Sequence, residues 1–106
     1  MAKIYTTDGK LLVETPQIQI GDKLFAVDNR KSTYDKMQEA VNKSNGNNEE
    51  RIILEYALGK AQMKEIDAMD LSMKGYMNLL TLVHAAIFDI SFEEAEARFQ
   101  KAQNNQ

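Results

Sequence analysis

Apolar and polar positions alternate along the first third of the chain in the way that is typical of β-strands. In the stretch "IQIGDKLFAV", Ile18 and Ile20 are separated by a glutamine and precede a Gly-Asp pair. After that pair, Phe25 and Val27 again lie two positions apart. A period of two with one polar face predicts a small antiparallel sheet that is covered on one side.

A second turn signal precedes this hairpin. The segment "KIYTTDGKLLVE" contains Asp8-Gly9, and an Asp-Gly pair adopts the positive φ angles of a type I′ turn. Pro16 then separates the two predicted hairpins. Three or four short strands need a helical layer to be stable, so we expect residues 1–30 to form a β-hairpin region against helices.

After residue 30 the pattern changes to the period of an α-helix. Tyr34, Met37 and Val41 recur at helical spacing and predict a first helix. Ser32 or Thr33 is its expected N-cap, because a hydroxyl at that position accepts a hydrogen bond from a free N–H of the first turn.

A second and longer helix is predicted after the polar stretch "SNGNN". Asn47 is its expected N-cap, and Glu50 three residues later completes an approximate capping box. Gly59 lies within this helix, where glycine costs about 1 kcal/mol relative to alanine. It therefore marks either a close helix crossing or a break in the helix.

Two more helices follow in the pattern. The third covers about residues 71–88, with Asp70 or Ser72 as its N-cap. The fourth begins after Ser91, which is expected to form a capping box with Glu94.

The whole pattern predicts a single α+β domain over residues 1–106. A small N-terminal antiparallel β-hairpin sheet (1–30) is followed by a three- to four-helix bundle (31–103), and residues 104–106 form a frayed tail. A chain of 106 residues has the size of one domain and buries about two-thirds of its unfolded surface.

The third helix contains an unusually apolar stretch, "NLLTLVHAAIFDI" at residues 78–90, in which nine of thirteen residues are apolar. An amphipathic surface helix leaves roughly half of its circumference polar, and this one does not. Two interpretations stay open. Either the helix lies at the centre of the core, or part of it forms a surface for a partner, because small monomers seldom expose large apolar patches.

Methionine is concentrated around the start of this helix, since four of the six methionines lie between residues 63 and 77. Its flexible side chain fills gaps in cores and also suits surfaces that bind varied apolar partners. Under the partner interpretation, the surface is a groove for an apolar or amphipathic helix. The candidate partner-binding residues are then Met73, Met77, Leu79, Leu82, Val83, Ala86, Phe88, Phe92 and Phe99.

Charge and composition disfavour several classes of partner. The formal net charge is −3, and residues 45–106 hold six Lys/Arg against ten Asp/Glu. An acidic helical half repels phosphate backbones, so nucleic acid is not an expected partner. A membrane is not expected either, because no apolar run reaches the roughly 18 residues of a membrane span. With no cysteine and no signal-type N-terminus, the chain is expected to be soluble and cytoplasmic.

The side chains that carry catalysis are few. The chain has one histidine, His84, which lies inside the apolar stretch, and it has no cysteine. Ser72 and Ser91 precede predicted helices, so capping explains them without a catalytic role. The acidic residues cluster at proposed helix boundaries, where helix capping and the favourable interaction with a helix N-terminus explain them. We therefore expect a protein that is not an enzyme and that needs no cofactor or metal.

Several segments together resemble the small tail assembly chaperones of long-tailed phages and prophages. The resemblance rests on the compact "IGDKLFAVD" segment, the "LSMKGYMNLLTLVHAAI" helix and the short acidic "SFEEAEARF" helix, which together with the residues between them cover most of the chain. The β-hairpin region departs from that family, in which many members are nearly all helical.

The resemblance implies a role in binding and no reaction. Members of that family coat the long, aggregation-prone tape measure protein and recruit the tail tube protein in the cytoplasm of the bacterial host. The alternative to a chaperone is a structural virion subunit, a tail or connector component that forms a homo-oligomer through its sheet edges and hairpins.

Overall fold

A two-stranded hairpin precedes four helices in the computed structural model, which describes residues 2–7, 9, 11 and 13–104. The elements of the described chain are β1 (Gln17–Ile20), β2 (Lys23–Ala26), α1 (Lys31–Lys43), α2 (Glu49–Ala68), α3 (Met73–Phe88) and α4 (Phe92–Asn104). The predicted α+β fold, a small hairpin followed by a helical region, is thereby confirmed.

The hairpin forms where the alternating pattern predicts it. β1 and β2 pair in the antiparallel direction, with Ile18 opposite Phe25. Both of these side chains are buried, because they lie on the face of the hairpin that packs against the helices. Beyond the strands, the N–H of Val27 donates to the carbonyl of Pro16 at 2.9 Å and extends the pairing by one step.

The second predicted hairpin, around Asp8-Gly9, is wrong for the part of this segment that the structure describes. Asp8 itself lies outside the described residues. No strand is present at residues 2–7, 9, 11 and 13–16. The side chains of Ile4 and Tyr5 are exposed there, so no helical layer covers the segment, and an uncovered pair of short strands has marginal stability.

α1 begins earlier than the expected caps, because Asp28 organises its first turn. Arg30 is the N-cap residue, and it donates to the Asp28 carboxylate from its backbone N–H at 3.1 Å and from Nε at 2.9 Å. The Thr33 hydroxyl donates to the same carboxylate at 2.7 Å. Ser32 and Thr33 therefore lie inside the helix, and the prediction that one of them is the N-cap is wrong.

α2 also begins differently from the prediction. Asn48, not Asn47, is the N-cap residue, and it has a left-handed backbone with φ of 57°. Its side chain makes no capping hydrogen bond. The predicted capping box from Asn47 to Glu50 is therefore wrong.

Gly59 breaks α2, which resolves the two alternatives left open by the sequence. Its backbone is non-helical, with φ of 82° and ψ of 156°. On either side of it, Arg51 and Asp67 form a two-pronged ion pair with both N···O distances at 2.7 Å. A straight helix would separate these residues by about 24 Å along its axis, so the two halves of α2 are bent toward each other at Gly59.

The predicted hydroxyl caps are confirmed as Ser72 for α3 and Ser91 for α4. Ser72 accepts a hydrogen bond from the N–H of Gly75 at 3.0 Å, and Ser91 accepts one from the N–H of Glu94 at 3.0 Å. Between the two helices, Asp89 adopts a left-handed backbone with φ of 53° and ends α3. The chain therefore turns sharply from α3 into α4.

The core lies between the inner face of the hairpin and the helices. α3 packs against β1, α2 and α4 and buries Leu79, Leu80 and Val83. The buried hydrophobic cluster comprises Ile18, Phe25, Val27, Met37, Leu54, Ala57, Leu58, Met63, Ile66, Leu79, Leu80 and Val83. Part of the apolar stretch in α3 thus serves the core.

Among residues 2–7, 9, 11 and 13–104, no helix taken singly combines the length and the apolar character that crossing a membrane requires. α3 and the first ten residues of α4 meet that requirement only as a pair, and the pair is bent by 111°.

Candidate functional site

A continuous apolar groove runs along the surface between β1 and α3. It consists of two adjoining cavities of about 430 and 400 Å³, which share Gln19, Leu82 and Phe92 in their linings. We call this surface the α3 groove. Its apolar lining comprises Pro16, Ile18, Ile20, Leu71, Leu79, Leu82, Ala85, Ala86, Ile90 and Phe92.

The hairpin forms one wall of the α3 groove. β1 places Ile18 on its inner face and leaves Gln17 and Gln19 at the rim, because alternate side chains of a strand point to opposite faces. The side-chain amide of Gln19 donates to the carbonyl of Gly21 at 2.9 Å and is thereby held beside the turn.

The other wall comes from α3 and the first residue of α4. The left-handed Asp89 and the Ser91 cap turn the chain so that Phe92 lies across the groove from β1. Leu82 lies midway along α3 and is partly buried. The groove therefore depends on the α3–α4 turn as much as on α3 itself.

Four of the nine predicted partner-binding residues line this groove. They are Leu79, Leu82, Ala86 and Phe92. Leu79 contributes little accessible area, since only 4% of it is exposed. Leu82, Ala86 and Phe92 are partly buried and present the apolar surface that a ligand would touch.

Two predicted residues lie outside the groove at the start of α3. Met73 is 77% exposed and Met77 is 40% exposed. Neither lines the two cavities of the α3 groove. The prediction that Met73 and Met77 share one binding surface with Leu82 is therefore not matched by this groove.

Val83 corrects the prediction for the centre of the apolar stretch. Its exposure is 0%, and it belongs to the core cluster. A partner cannot touch this side chain in the folded protein, so Val83 is a structural residue. Periodicity places Val83 beside Leu82, but it does not show which of the two faces of α3 the rest of the fold covers.

Phe88 and Phe99 lie together in a separate place, around His84. The ring of His84 lies 4.7 Å from that of Phe88 and 5.0 Å from that of Phe99, measured between centroids. These rings line a cavity of about 190 Å³ whose other walls include Tyr34 of α1 and Ile53 of α2. The nine predicted residues are thus distributed over three surfaces and the core.

The imidazole of His84 is packed among aromatic rings. Burial, with the positive charge of Arg98 nearby, lowers the pKa of its imidazole, so the neutral form is favoured. Its Nε2 is buried and has no hydrogen-bond partner within the described part of the chain. No carboxylate orients the ring there, as a general base would require.

A more polar cavity of about 480 Å³ lies on the other side of the hairpin. Its lining includes Asp28, Arg30 and Tyr56, together with Gly59 at the break in α2. The Arg30 guanidinium holds the pKa of Asp28 well below its usual range. Because the two charges already satisfy each other, this cavity offers no free charge to a ligand.

Metal-binding side chains do not converge in the described residues. Among residues 2–7, 9, 11 and 13–104, no group of three or more His, Asp or Glu side chains has the arrangement that could hold a metal ion. The hydroxyls of Ser72 and Ser91 accept hydrogen bonds from helix N–H groups. The arrangement of the α3 groove is therefore suited to binding apolar groups.

β1 and Leu71 are parts of the site that are not among the residues predicted from the sequence. The alternation of Gln17 and Gln19 with isoleucines identifies a strand, but no local signal places that strand beside α3. The contact is long-range, so only the assembled fold brings the two walls together.

No family model, no curated protein and no solved structure matches this chain.

Proposed function

We propose that this chain is a non-catalytic tail assembly chaperone that binds apolar segments of a phage tape measure protein in the α3 groove. The observation that carries the proposal is the groove itself, two adjoining apolar cavities on the surface of a small acidic protein. Apolar side chains of a client that enter these cavities leave water, which favours binding.

The acidic surface supports the same role. A client held on the groove stays in solution only if the complex is soluble, and a net charge away from zero promotes solubility. The acidic residues Glu93 and Glu94 follow Phe92 and are exposed. They place negative charge beside the groove without entering its apolar lining.

The test is co-expression of the chain with a candidate phage tape measure protein. We expect the client to be soluble and to co-purify with the wild-type chain. Leu82→Asp should abolish co-purification, because it places a charge at the point where the two cavities meet. Leu24→Asp is the matched control, since Leu24 is 59% exposed and lies outside the groove.

Two outcomes contradict the proposal. If the client is insoluble or does not co-purify with the wild-type chain, the chaperone role is wrong. If Leu82→Asp folds and holds the client as well as Leu24→Asp does, the α3 groove is not the binding surface. Circular dichroism of both variants confirms that they are folded.

A structural virion subunit is the second candidate. The observation that favours it is the exposed apolar N-terminal region, where Ile4, Tyr5, Leu11 and Val13 are each more than 60% exposed. Rings or tubes formed by the pure protein, seen by negative-stain electron microscopy, would favour this candidate over the chaperone.

A further inference from the structure

One edge of the hairpin is open. Pro16 and Val27 pair through a backbone hydrogen bond, and hydrogen-bonded pairs alternate along an antiparallel ladder. By that alternation, the backbone groups of Ile18 and Ile20 point toward β2, and those of Gln17 and Gln19 point away from it. Within the described residues, no hydrogen bond reaches these outward groups.

The opposite edge is covered by α2. The side-chain amide of Gln62 accepts from the N–H of Ala26 at 3.1 Å and donates to the carbonyl of Ala26 at 2.8 Å. Two residues further along the chain, the N–H of Asp28 donates to the carbonyl of Ala57 at 2.7 Å. A further strand can therefore add to β1 much more readily than to β2.

The same chain carries a segment suited to the open edge. Residues 2–7 include Ile4, which is 88% exposed, and Tyr5, which is 82% exposed. β-branched and aromatic residues favour strands. These exposures also show that the segment does not pack into the groove of its own chain.

The accessible surface of the chain is larger than that of an ordinary monomer of its size. It amounts to 8200 Å², whereas a folded monomer of 12.0 kDa exposes about 6000 Å². The excess is about 2200 Å², and a stable protein–protein interface buries roughly 1,600 Å² over both partners. One chain therefore exposes enough surplus surface for a stable dimer.

We propose that two copies of this chain exchange their N-terminal segments, so that residues 2–7 of each copy add as a third strand to the β1 edge of the other. Six residues span about 20 Å as a strand, which is enough to cover the four residues of β1. The outward N–H and C=O groups of Gln17 and Gln19 then pair with the added strand, as in other cases of strand addition.

The α3 groove receives the side chains of the added strand. Alternate residues of that strand face Leu82 and Phe92, while the others face solvent. Ile4 or Tyr5 then leaves water and enters an apolar cavity. The exchange closes an open strand edge and covers an apolar groove, two features that otherwise promote aggregation.

The added strand would occupy the groove that the proposed function assigns to the client, so the two would compete for it, but the exchange does not depend on the proposed function. It is tested on the pure protein with no client present. A failure of self-association therefore leaves the chaperone role untouched, and a failure of client binding leaves the exchange untouched.

The first test is sedimentation of the full-length protein over a concentration series. The wild type should form a dimer. Gln19→Pro should weaken dimerisation by at least about tenfold, because it removes an N–H that the added strand needs and puts a proline ring on the edge. Leu24→Pro, directly opposite on β2, is the matched control and should change dimerisation less than about twofold.

The second test keeps both strands intact. The double variant Ile4→Asp/Tyr5→Asp changes only exposed side chains, so it should fold like the wild type and lose dimerisation to a similar extent. Mixed with Gln19→Pro, it should form a heterodimer that is tighter than either variant alone, because one of the two exchanges is then complete.

The proposal is overturned if the wild type sediments as a monomer at every concentration. It is also overturned if Gln19→Pro and Leu24→Pro affect dimerisation equally, or if Ile4→Asp/Tyr5→Asp dimerises like the wild type. Circular dichroism and thermal unfolding of each variant separate a lost interface from a lost fold.

Discussion

The two edges of the hairpin lie a few ångströms apart, but one is hydrogen-bonded to α2 and the other is open. The β2 edge is covered by Gln62, whose amide takes the place of a neighbouring strand at Ala26. The β1 edge borders the α3 groove, and its outward backbone groups at Gln17 and Gln19 have no partner within the described residues. The bent α2 therefore covers the β2 edge, whereas no element within the described residues covers the β1 edge.

The bend in α2 is what completes the β2 edge. Gly59 interrupts the helix, and the released carbonyls of Ala57 and Leu58 accept hydrogen bonds from Asp28 N–H and Gln62 Nε2. Without the break, these carbonyls would be bonded within a regular helix. The closed edge therefore requires one glycine.

Gly59→Ala is expected to change the free energy of unfolding more than any other substitution predicted below. The backbone angles of Gly59, with φ of 82° and ψ of 156°, lie in a region that is essentially restricted to glycine. We expect the free energy of unfolding to fall by about 1–3 kcal/mol, measured by urea denaturation. Gly75→Ala is the control, because Gly75 lies inside α3; its Cβ would lie 3.3 Å from Ser72 Oγ, and stability should change by less than about 1 kcal/mol.

An unchanged stability for Gly59→Ala would show that α2 tolerates a side chain at the bend. The bend would then not be imposed by the glycine backbone, and the explanation of the closed edge would fail. No atom lies within 4 Å of a Cβ placed at Gly59, so a steric clash cannot be the cause of the expected loss.

Gln62→Leu tests the closed edge directly. It removes three hydrogen bonds while nearly preserving volume, so we expect stability to fall by about 1–2 kcal/mol. It also uncovers the backbone of Ala26, so self-association should increase. Gln38→Leu, at an exposed position on α1, is the control for adding an apolar side chain.

Urea denaturation measures the stability of Gln62→Leu, and sedimentation measures its self-association. If both variants have the stability and association of the wild type, the amide of Gln62 does not act as a substitute strand. The difference between the two edges would then be one of geometry alone.

His84 lies on the side of α3 that faces away from the groove. Its effect on stability is the smallest that we predict. Burial lowers the pKa of His84 below its ordinary value of 6.5. The unfolded chain therefore binds more protons than the folded chain near that pH, and stability should fall as the pH is lowered through 6.5. His84→Leu should remove this dependence between pH 7.5 and 5.5.

Urea denaturation at pH 5.5, 6.5 and 7.5 measures this dependence. His84 is the only histidine, so other side chains contribute little to the change in this range. If the wild type and His84→Leu show the same dependence on pH, the environment of His84 is wetter than its packing between Phe88 and Phe99 indicates.

Local pattern predicts much of this fold. The hairpin at Gly21-Asp22 and the caps at Ser72 and Ser91 depend on neighbouring residues, so the sequence identifies them. The predicted N-caps of α1 and α2 are wrong. The Asp28 carboxylate starts α1 by binding Arg30, a contact that competes with the ordinary choice of a serine or threonine.

The site was predictable only in part. Helical periodicity identifies the apolar residues of α3 but does not show which layer covers each face, so it does not distinguish Leu82 from Val83. One lines the groove and the other is wholly buried. β1 was recognised as a strand, but its position beside α3 comes from contacts between distant parts of the chain.

The pairing of Gln62 with Ala26 also has a consequence for the order of folding. The two residues are separated by 36 positions in the chain, whereas Arg51 and Asp67, which join the halves of α2, are separated by 16. Shorter loops close at a lower entropic cost, so the bent α2 should form before the hairpin docks on it. Until that docking is complete, both strand edges are exposed to neighbouring chains. We therefore expect a newly synthesised chain to be more prone to aggregate in the interval between bending and docking than after it.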